Sequence, residues 1–571
     1  MILMLWWPLQ WSKQKLLNCE EEKMKVKVRR HLISALITLI FGAICFYVTL
    51  PALNIHSTGL LGFIISLCVA YGVVYLISGV RAKVVQIDLQ RDKKELFKFT
   101  TVKVLLAIIA LCILVGLIGN LVGARLFNAK RYRALLEVEA GDFAADVSEI
   151  TYNHIPRLDL ESAQRLGDRK MGELSDMVSQ FAVMDNYTQI NYKGSPVRVT
   201  PLEYADIFKW LSNMKEGIPG YLMIDMVTQE VELVRLSEGM KYSTAEHFGR
   251  NLERHLRFQY PTKIFEGQNF EVNEEGTPFW ICPTYKFTIG LYGGRDIEGA
   301  VLVNAITGES TYHKVEDIPA WVDRVYNADL IIEQYDFYGT LVNGFWNSIF
   351  AQKDCTVTTD GYNYMAQGDD VYMYTGITSV AADQSNIGFI LSNQRTKETK
   401  FYAVAGAEEY SAMASAEGQV QEMRYTATFP LLLNISDEPT YFMALKDASS
   451  LVKMYAMVNV EQYQIVVAAN SLAECERQYI KRLSEEGVSE EAPAPEPELK
   501  EISGAIASIR SAVVGGNTCY YYQLEGNNQT FSLSVADDER AVVLNVGNQV
   551  TFIYEPKENA LILPVKELKI G

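Results

Sequence analysis

Three apolar stretches near the N-terminus, Leu32–Leu50, Gly59–Val80 and Val104–Val122, constrain this chain more than any other feature. Each approaches the roughly 20 residues that cross a bilayer as a helix, and none contains Asp, Glu, Lys or Arg. They are predicted to be three transmembrane helices carrying a large C-terminal body on one side of a membrane.

Basic residues indicate which side. Lys13, Lys15, Lys23, Lys25, Lys27, Arg29 and Arg30 precede the first stretch, and Arg81, Lys83, Arg91, Lys93, Lys94, Lys98 and Lys103 follow the second. The loop Pro51–Thr58 has no Lys or Arg. Positive loops stay in the cytoplasm, so the N-terminus is expected inside and everything after Val122 outside. Arg125, Lys130, Arg131 and Arg133 pull weakly the other way. The spans contain no charged residue, which argues against transport. Met1–Glu22 has two readings: an interfacial anchor through Trp6, Trp7 and Trp11, or a preamble to a true start at Met24.

Charge separates the two parts. Residues 1–123 hold 14 Lys/Arg and 6 Asp/Glu, for +8; the remainder holds 38 and 63, for −25. An acidic body excludes nucleic acid as a partner, because phosphate binding requires a basic footprint. It fits a soluble extracytoplasmic body that attracts cations or basic partners. Cys282, Cys355, Cys475 and Cys519 are far apart in the body and no CxxC pair exists, so neither a zinc nor a redox motif is indicated. Free thiols and a disulfide both remain open for these four.

Three segments of the body share one pattern: GYLMIDMVTQE (220–230), GAVLVNAITGE (299–309) and GFILSNQRTKE (388–398). Asp225, Asn304 and Asn393 hold one offset, Thr228, Thr307 and Thr396 a second, and Glu230, Glu309 and Glu398 a third. Self-similarity at this spacing indicates duplicated small domains. Locally the pattern is an apolar strand, an Asx/Thr turn and a return strand. Ser243 with Glu246 is expected to box the start of a helix through Phe258. Strands are expected at Lys263–Val272, Thr277–Ile289, Gly299–Thr307 and Ser310–Val315, giving one helix on an antiparallel meander. Pro201–Met214 and Asp323–Tyr338 are read as helices before the first and third hairpins. Arg125–Glu139 is read as a stalk continuing the third span. A further unit is expected over 415–483.

This helix-plus-meander unit, with its final strand reading VLVNAITGES, resembles the PepSY and cystatin-like modules found in tandem in membrane-anchored proteins of Gram-positive bacteria. Asn304, Thr307, Gly308 and Glu309 match best, whereas Gln229 and Lys397 replace the glycine in the other copies. The resemblance implies a binding, inhibitory or scaffolding module.

Beyond a Pro/Glu-rich linker (485–500), short strands at Ala505–Val514, Thr518–Leu524, Thr530–Val535, Ala541–Leu544, Val550–Tyr554 and Leu561–Val565 suit a small barrel of the OB or SH3-like class. The expected organisation is a cytoplasmic basic N-terminus (1–31), three transmembrane helices (32–122), a stalk and helical lead-in (123–200), tandem α+β modules (201–400), a further module (401–484), the linker and the barrel (501–571). The fold class is therefore membrane α-helical plus α+β.

Chemistry is sparse. HExxH, GxSxG and P-loop patterns are absent, and His247 and His255 stand too far apart for an i, i+4 metal pair. Gly293-Gly294-Arg295-Asp296 reads as a turn. Asp369-Asp370 and Asp537-Asp538 offer weak divalent-cation contacts without EF-hand spacing. Tyr362, Tyr364, Tyr372 and Tyr374, with Tyr520 and Tyr522 in the barrel, are candidate binding surface, since rings stack and hydroxyls hydrogen-bond. The expected role is a non-enzymatic envelope scaffold or adaptor binding protein or wall partners, with no cofactor and no resident metal. An envelope sensor, or an inhibitor of a secreted hydrolase, is the alternative. A wall-polymer hydrolase would need paired carboxylates in a cleft.

Overall fold

A computed structural model describes residues 7–81, 100–150, 155–380, 385–490, 499–514, 517–535, 538–556 and 560–570. Most of the basic loop after the second span, Trp6, His154, most of the linker, Gly515-Gly516 and Asp537 lie outside the described residues. The described chain divides into two compact units, 1–491 and 492–571.

Three N-terminal helices are long and apolar enough to cross a membrane, over Met24–Thr49, Thr58–Ser78 and Thr100–Val122. The helix containing the first runs unbroken from Trp7 to Thr49. The three pack in sequence order, first on second and second on third. Arg30 is buried between the first two, its guanidinium over the Tyr75 ring and donating to Tyr75 O at 2.8 Å.

The body that follows is built on four antiparallel sheets of one connectivity. In each, two short strands line one edge of a long strand, and two further strands follow on its other side. The first sheet sets Phe181–Val183 and Thr188–Tyr192 against Ser195–Tyr204, then adds Ile218–Asp225 and Val231–Met240. The second repeats this with Ile264–Phe265, Asn269–Val272, Pro278–Ile289, Gly293–Asn304 and Ser310–Lys314. The third uses Thr356–Thr358, Asn363–Gln367, Asp370–Ser379, Ser385–Asn393 and Thr399–Tyr402. The fourth uses Thr426–Ala427, Leu431–Ile435, Glu438–Lys446, Val452–Asn459 and Val466–Ala469. One backbone bond recurs at the same place in all four: Met226 N to Pro196 O, Ala305 N to Pro278 O, Gln394 N to Val371 O and Val460 N to Pro439 O, at 2.9–3.1 Å. A helix precedes each sheet: Leu160–Glu173, Leu252–Gln259, Ala328–Thr340 and Glu409–Gln419.

Strand side chains alternate between faces, and here the inner sheets bury both. In the second sheet, Trp280, Cys282, Val301 and Val303 join a core with the first sheet, while Ile281, Ala300 and Leu302 join one with the third. In the third, Met373, Ile377 and Ile390 face the second sheet, while Tyr374, Phe389 and Leu391 face the fourth. This explains the unbroken apolar run VLV before Asn304. A salt bridge from Lys446 to Asp159 (2.6 Å) ties the fourth sheet back to the helix beside the first.

The body sits on one end of the helix bundle. Leu53 N donates to Pro261 O (2.7 Å), His56 Nδ1 is 2.8 Å from Leu291 O, and Arg257 Nε donates to Leu50 O at 2.9 Å. Tyr132 donates to Gly123 O at 2.7 Å. The short loop after the first helix and the exit of the third therefore share one end with the body.

Several sequence expectations are corrected. The third span does not continue as a stalk: Ala124 is extended, a separate helix spans Arg125–Arg133, and Glu139–Ala140 pairs in parallel with Thr399–Tyr402. Gly123 causes the break by lying against the backbone of Gly290 and Gly293. The first sheet begins inside the expected lead-in (123–200), with two whole strands and most of a third, and its helix is Leu160–Glu173. Pro201–Tyr204 ends a strand, and Ile207–Asn213 is a helical insertion within that sheet, capped by Asp206. The expected Ser243–Glu246 box does not form. Asn251 caps the helix, and Glu246 is buried, accepting from Tyr204 Oη at 2.6 Å and Trp210 Nε1 at 2.9 Å. The expected helix Asp323–Tyr338 is Ala328–Thr340, capped by Asn327. Strand Lys263–Val272 is two strands, broken around Gly267 (φ 75°).

The C-terminal unit is a closed five-stranded barrel. Its order is Lys500–Val514, Asn517–Leu524, Thr530–Ser534, Ile562–Ile570, Gln549–Tyr554 and back to the first; Thr530–Ser534 and Ile562–Ile570 run parallel. Expected strand Ala541–Leu544 is instead a 3-10 turn, Glu539–Val543, whose Ala541 plugs the core.

Candidate functional site

The repeated turns that the sequence singles out are closed by their own side chains. Asp225 Oδ1 accepts from the N–H of Val227 and Thr228 (2.8 and 2.7 Å), Asn304 Oδ1 from Ile306 and Thr307 (2.9 and 3.0 Å), and Asn393 Oδ1 from Arg395 and Thr396 (both 2.9 Å). The hydroxyls of Thr228, Thr307 and Thr396 accept from the N–H of Glu230, Glu309 and Glu398 at 3.2–3.3 Å. Gln229, Gly308 and Lys397 all take the left-handed conformation, with φ of 65°, 77° and 69°. The three turns sit on three different sheets.

The tyrosines do not form one surface. Asn363–Gln367 pairs with Asp370–Ser379 so that Tyr372 and Tyr374 face the fourth sheet, while Tyr364 points the opposite way. Tyr374 is fully buried and donates to Pro430 O, so it is core. Tyr522 is likewise core, donating to Ala541 O at 2.8 Å. Tyr520 is half-buried beside it. Tyr362 is exposed, and Tyr364 is half-buried under the Arg324 guanidinium, 3.9 Å from the ring centre.

Three sheets meet at a cavity of about 240 Å³, the larger of two hollows at this junction. The first sheet contributes Asn191, Ser195, Pro196 and the turn residue Val227; the third contributes Met365–Gly368; the fourth contributes Leu431, Leu433 and Asn434. Val147–Ile150 closes one side. Asn191 Nδ2 donates to Gly368 O (2.8 Å) and Asn434 Nδ2 to Val147 O (2.7 Å). Those bonds fix both amides, and the Oδ1 atoms of these two buried residues have no hydrogen-bond partner. A buried acceptor without a donor costs about 1–3 kcal/mol. A smaller hollow, lined in part by Tyr364, Asp159 and Phe429, lies across Pro156.

Behind Asn191 lies a buried acidic pair. Asp323 Oδ2 accepts from Asn191 N at 2.7 Å, and Glu271 accepts from the N–H of Asp323 and Arg324 at 2.9 Å each. Burial pushes Glu271 up to about 7. Burial, then the neighbouring Glu271 charge, raises Asp323 far above the usual carboxylate range. Sequence reasoning missed this pair, because neither residue stands in a recognisable spacing. Another buried carboxylate, Glu409, accepts from Gly376 N (2.8 Å) and Thr359 Oγ1 (3.0 Å) between the third and fourth sheets.

The other candidates have structural partners. Asp370 is held by Arg395 (2.8 Å) and Asn393 (2.9 Å), and Asp538 by Arg540 at 2.6 Å. His255 Nε2 lies 2.8 Å from Gly308 O, and His247 packs on Trp210. Among the described residues, no group of three His, Cys, Asp or Glu is arranged to hold a metal. Cys282, Cys355, Cys475 and Cys519 are free thiols, the first three buried.

No family model matches this chain, and no curated protein matches it.

Proposed function

We propose that this protein is a membrane-anchored, non-enzymatic adaptor of the cell envelope. Its four helix-and-sheet modules, similar to PepSY and cystatin-like units, act as one extracytoplasmic receptor body. The observation that carries the reading is the cavity where three sheets meet, whose walls combine apolar side chains such as Leu431 and Leu433 with polar ones such as Ser195 and Gln367. Such a wall suits a partner segment that brings N–H groups and small apolar side chains, as an extended peptide does. The C-terminal barrel has the strand order of an OB fold, including the parallel pairing of its third and fifth strands, and supplies a second recognition module. Positive charge before the first span and after the second places the N-terminus inside and the body outside.

A Cys at Ser489, probed in intact cells with a membrane-impermeant thiol reagent, tests the location. Labelling without lysis is expected; labelling only after lysis overturns an envelope role. A photo-crosslinking residue at Met365 then tests the cavity. A protein adduct that Asn191→Ala and Asn434→Ala weaken is expected, and an adduct indifferent to both removes the cavity from the reading. Turnover of wall polymer by the purified protein would replace the adaptor reading with a hydrolase.

A further inference from the structure

The loop that follows the helix Ala328–Thr340 carries apolar surface that the body does not use. Trp346, Ile349 and Phe350 are 62%, 49% and 76% exposed. Trp346 and Phe350 stack with ring centres 5.9 Å apart, and Phe345 packs edge-on against Trp346 at 5.4 Å. No charged residue occurs between Val342 and Gln352. The loop is held by its polar base: Asn343 Nδ2 and Asn347 Nδ2 both donate to Lys353 O, at 3.0 and 2.9 Å, and Lys353 N donates to Asn347 Oδ1 at 3.1 Å. The rings are thus presented outward on a fixed support.

Its position follows from contacts at the end of the third span. Arg125, three residues after Val122, lies 4.6 Å over the Phe337 ring. Tyr132, anchored to Gly123 O, packs edge-on against Phe337 at 5.0 Å. Leu341 shares a small core with Tyr132 and Ile289, and the neighbouring Gly290 lies against Gly123. The other end of the same helix is held away from that exit, where Asn327 Nδ2 donates to Tyr285 Oη at 3.0 Å. The helix therefore runs toward the exit of the third span, and the loop starts there. Leu126 and Phe127, exposed on the helix Arg125–Arg133, continue the apolar surface from the span.

We infer that Phe345–Phe350 is an interfacial foot: its rings insert at the headgroup–acyl boundary of the bilayer that the three helices cross. Trp suits that boundary because its ring is apolar and its N–H is polar. Burying three large apolar side chains gives the foot a hold separate from the spans. With it, the body is supported at the span exits and at a point beside them, which restricts its tilt. The inference rests on the helices crossing the membrane.

The test uses the full chain in proteoliposomes. Tryptophan emission of the wild type and of Trp346→Phe is compared during quenching by lipids brominated near the headgroup end of the chain, and by aqueous iodide. The difference emission, which belongs to Trp346, is expected to lose more than half its intensity to the brominated lipid and little to iodide. Difference emission quenched by iodide and not by lipid overturns the foot. Difference emission quenched by neither overturns it too, in favour of a protein cover. Alkaline carbonate extraction separates the premises: retention of the chain with an iodide-quenched Trp346 defeats the foot alone, whereas release of the chain defeats the spans as well.

Discussion

Asn304 shows how one side chain sets a hairpin here. Its Oδ1 collects two backbone N–H groups that the turn would otherwise leave unmet. Asn304→Ala should cost about 1 kcal/mol, read from chemical denaturation. The adjoining left-handed position separates the three copies. Gln229 holds φ 65° with no glycine to ease it, so Gln229→Gly should stabilise by up to roughly 1 kcal/mol. Lys397→Gly should destabilise, because Lys397 Nζ holds Asp296 at 2.7 Å and Leu135 O at 3.0 Å. Melting curves of the two variants should therefore move in opposite directions.

Glu271 makes stability depend on pH. Its folded value of about 7 stands above the ordinary 4.5, so between the two the folded state keeps a proton that the unfolded chain gives up. Its contribution is complete below the ordinary carboxylate range and is lost as pH rises through 7, by roughly 3 kcal/mol at most. Glu271→Gln should flatten that slope. A glutamine has one acceptor oxygen for two backbone N–H groups, so stability near pH 5 should fall by about 1–3 kcal/mol. Urea unfolding across that pH range checks both effects.

At the scale of elements, the closing contact is the helix Leu160–Glu173 against the fourth sheet. Asp159 caps that helix through Ser162 N (3.1 Å) and also receives the buried Lys446 ammonium. Burial opposes its ionisation, but bonds from Lys446 and Ser162 outweigh burial and hold the carboxyl below its usual range. A lowered carboxyl gives stability that is present above the ordinary range and disappears as pH falls through the folded value. Lys446→Ala should leave Asp159 capping but half-buried without its cation. Amide exchange in Leu160–Glu173 should then quicken several-fold while the second sheet is unchanged; uniform protection would show that the contact is dispensable.

At the scale of the molecule, the barrel has its own core of Tyr522, Phe531, Leu533 and Phe552. Residues 499–571 are expected to fold alone with one cooperative transition, and Tyr522→Ala should cost about 3–5 kcal/mol. A scanning calorimetry trace without a transition would refute that independence.

The sequence by itself determined what depends on neighbours along the chain. An uninterrupted apolar run about as long as the hydrocarbon core is thick is legible without any fold, so the three helices were readable. The spacing of Asp or Asn, Thr and Glu was visible because each turn closes within six residues. The fourth sheet escaped that pattern because its turn from Asn459 is one residue longer and has Gln462 and Gln464 where the others have Thr and Glu. Tertiary structure decided the rest. Glu246 had the spacing of a helix cap, yet Tyr204 and Trp210, distant in sequence, captured it. Tyr374 and Tyr522 looked like surface, since alternation shows that a strand has two faces but not which of them is covered. Three segments of different sheets build the cavity, and Asp323 meets Glu271 only because the segment after the second sheet folds back onto Asn269–Val272. Local chemistry is written in short spacings, whereas burial and convergence arise from contacts between residues tens to hundreds of positions apart.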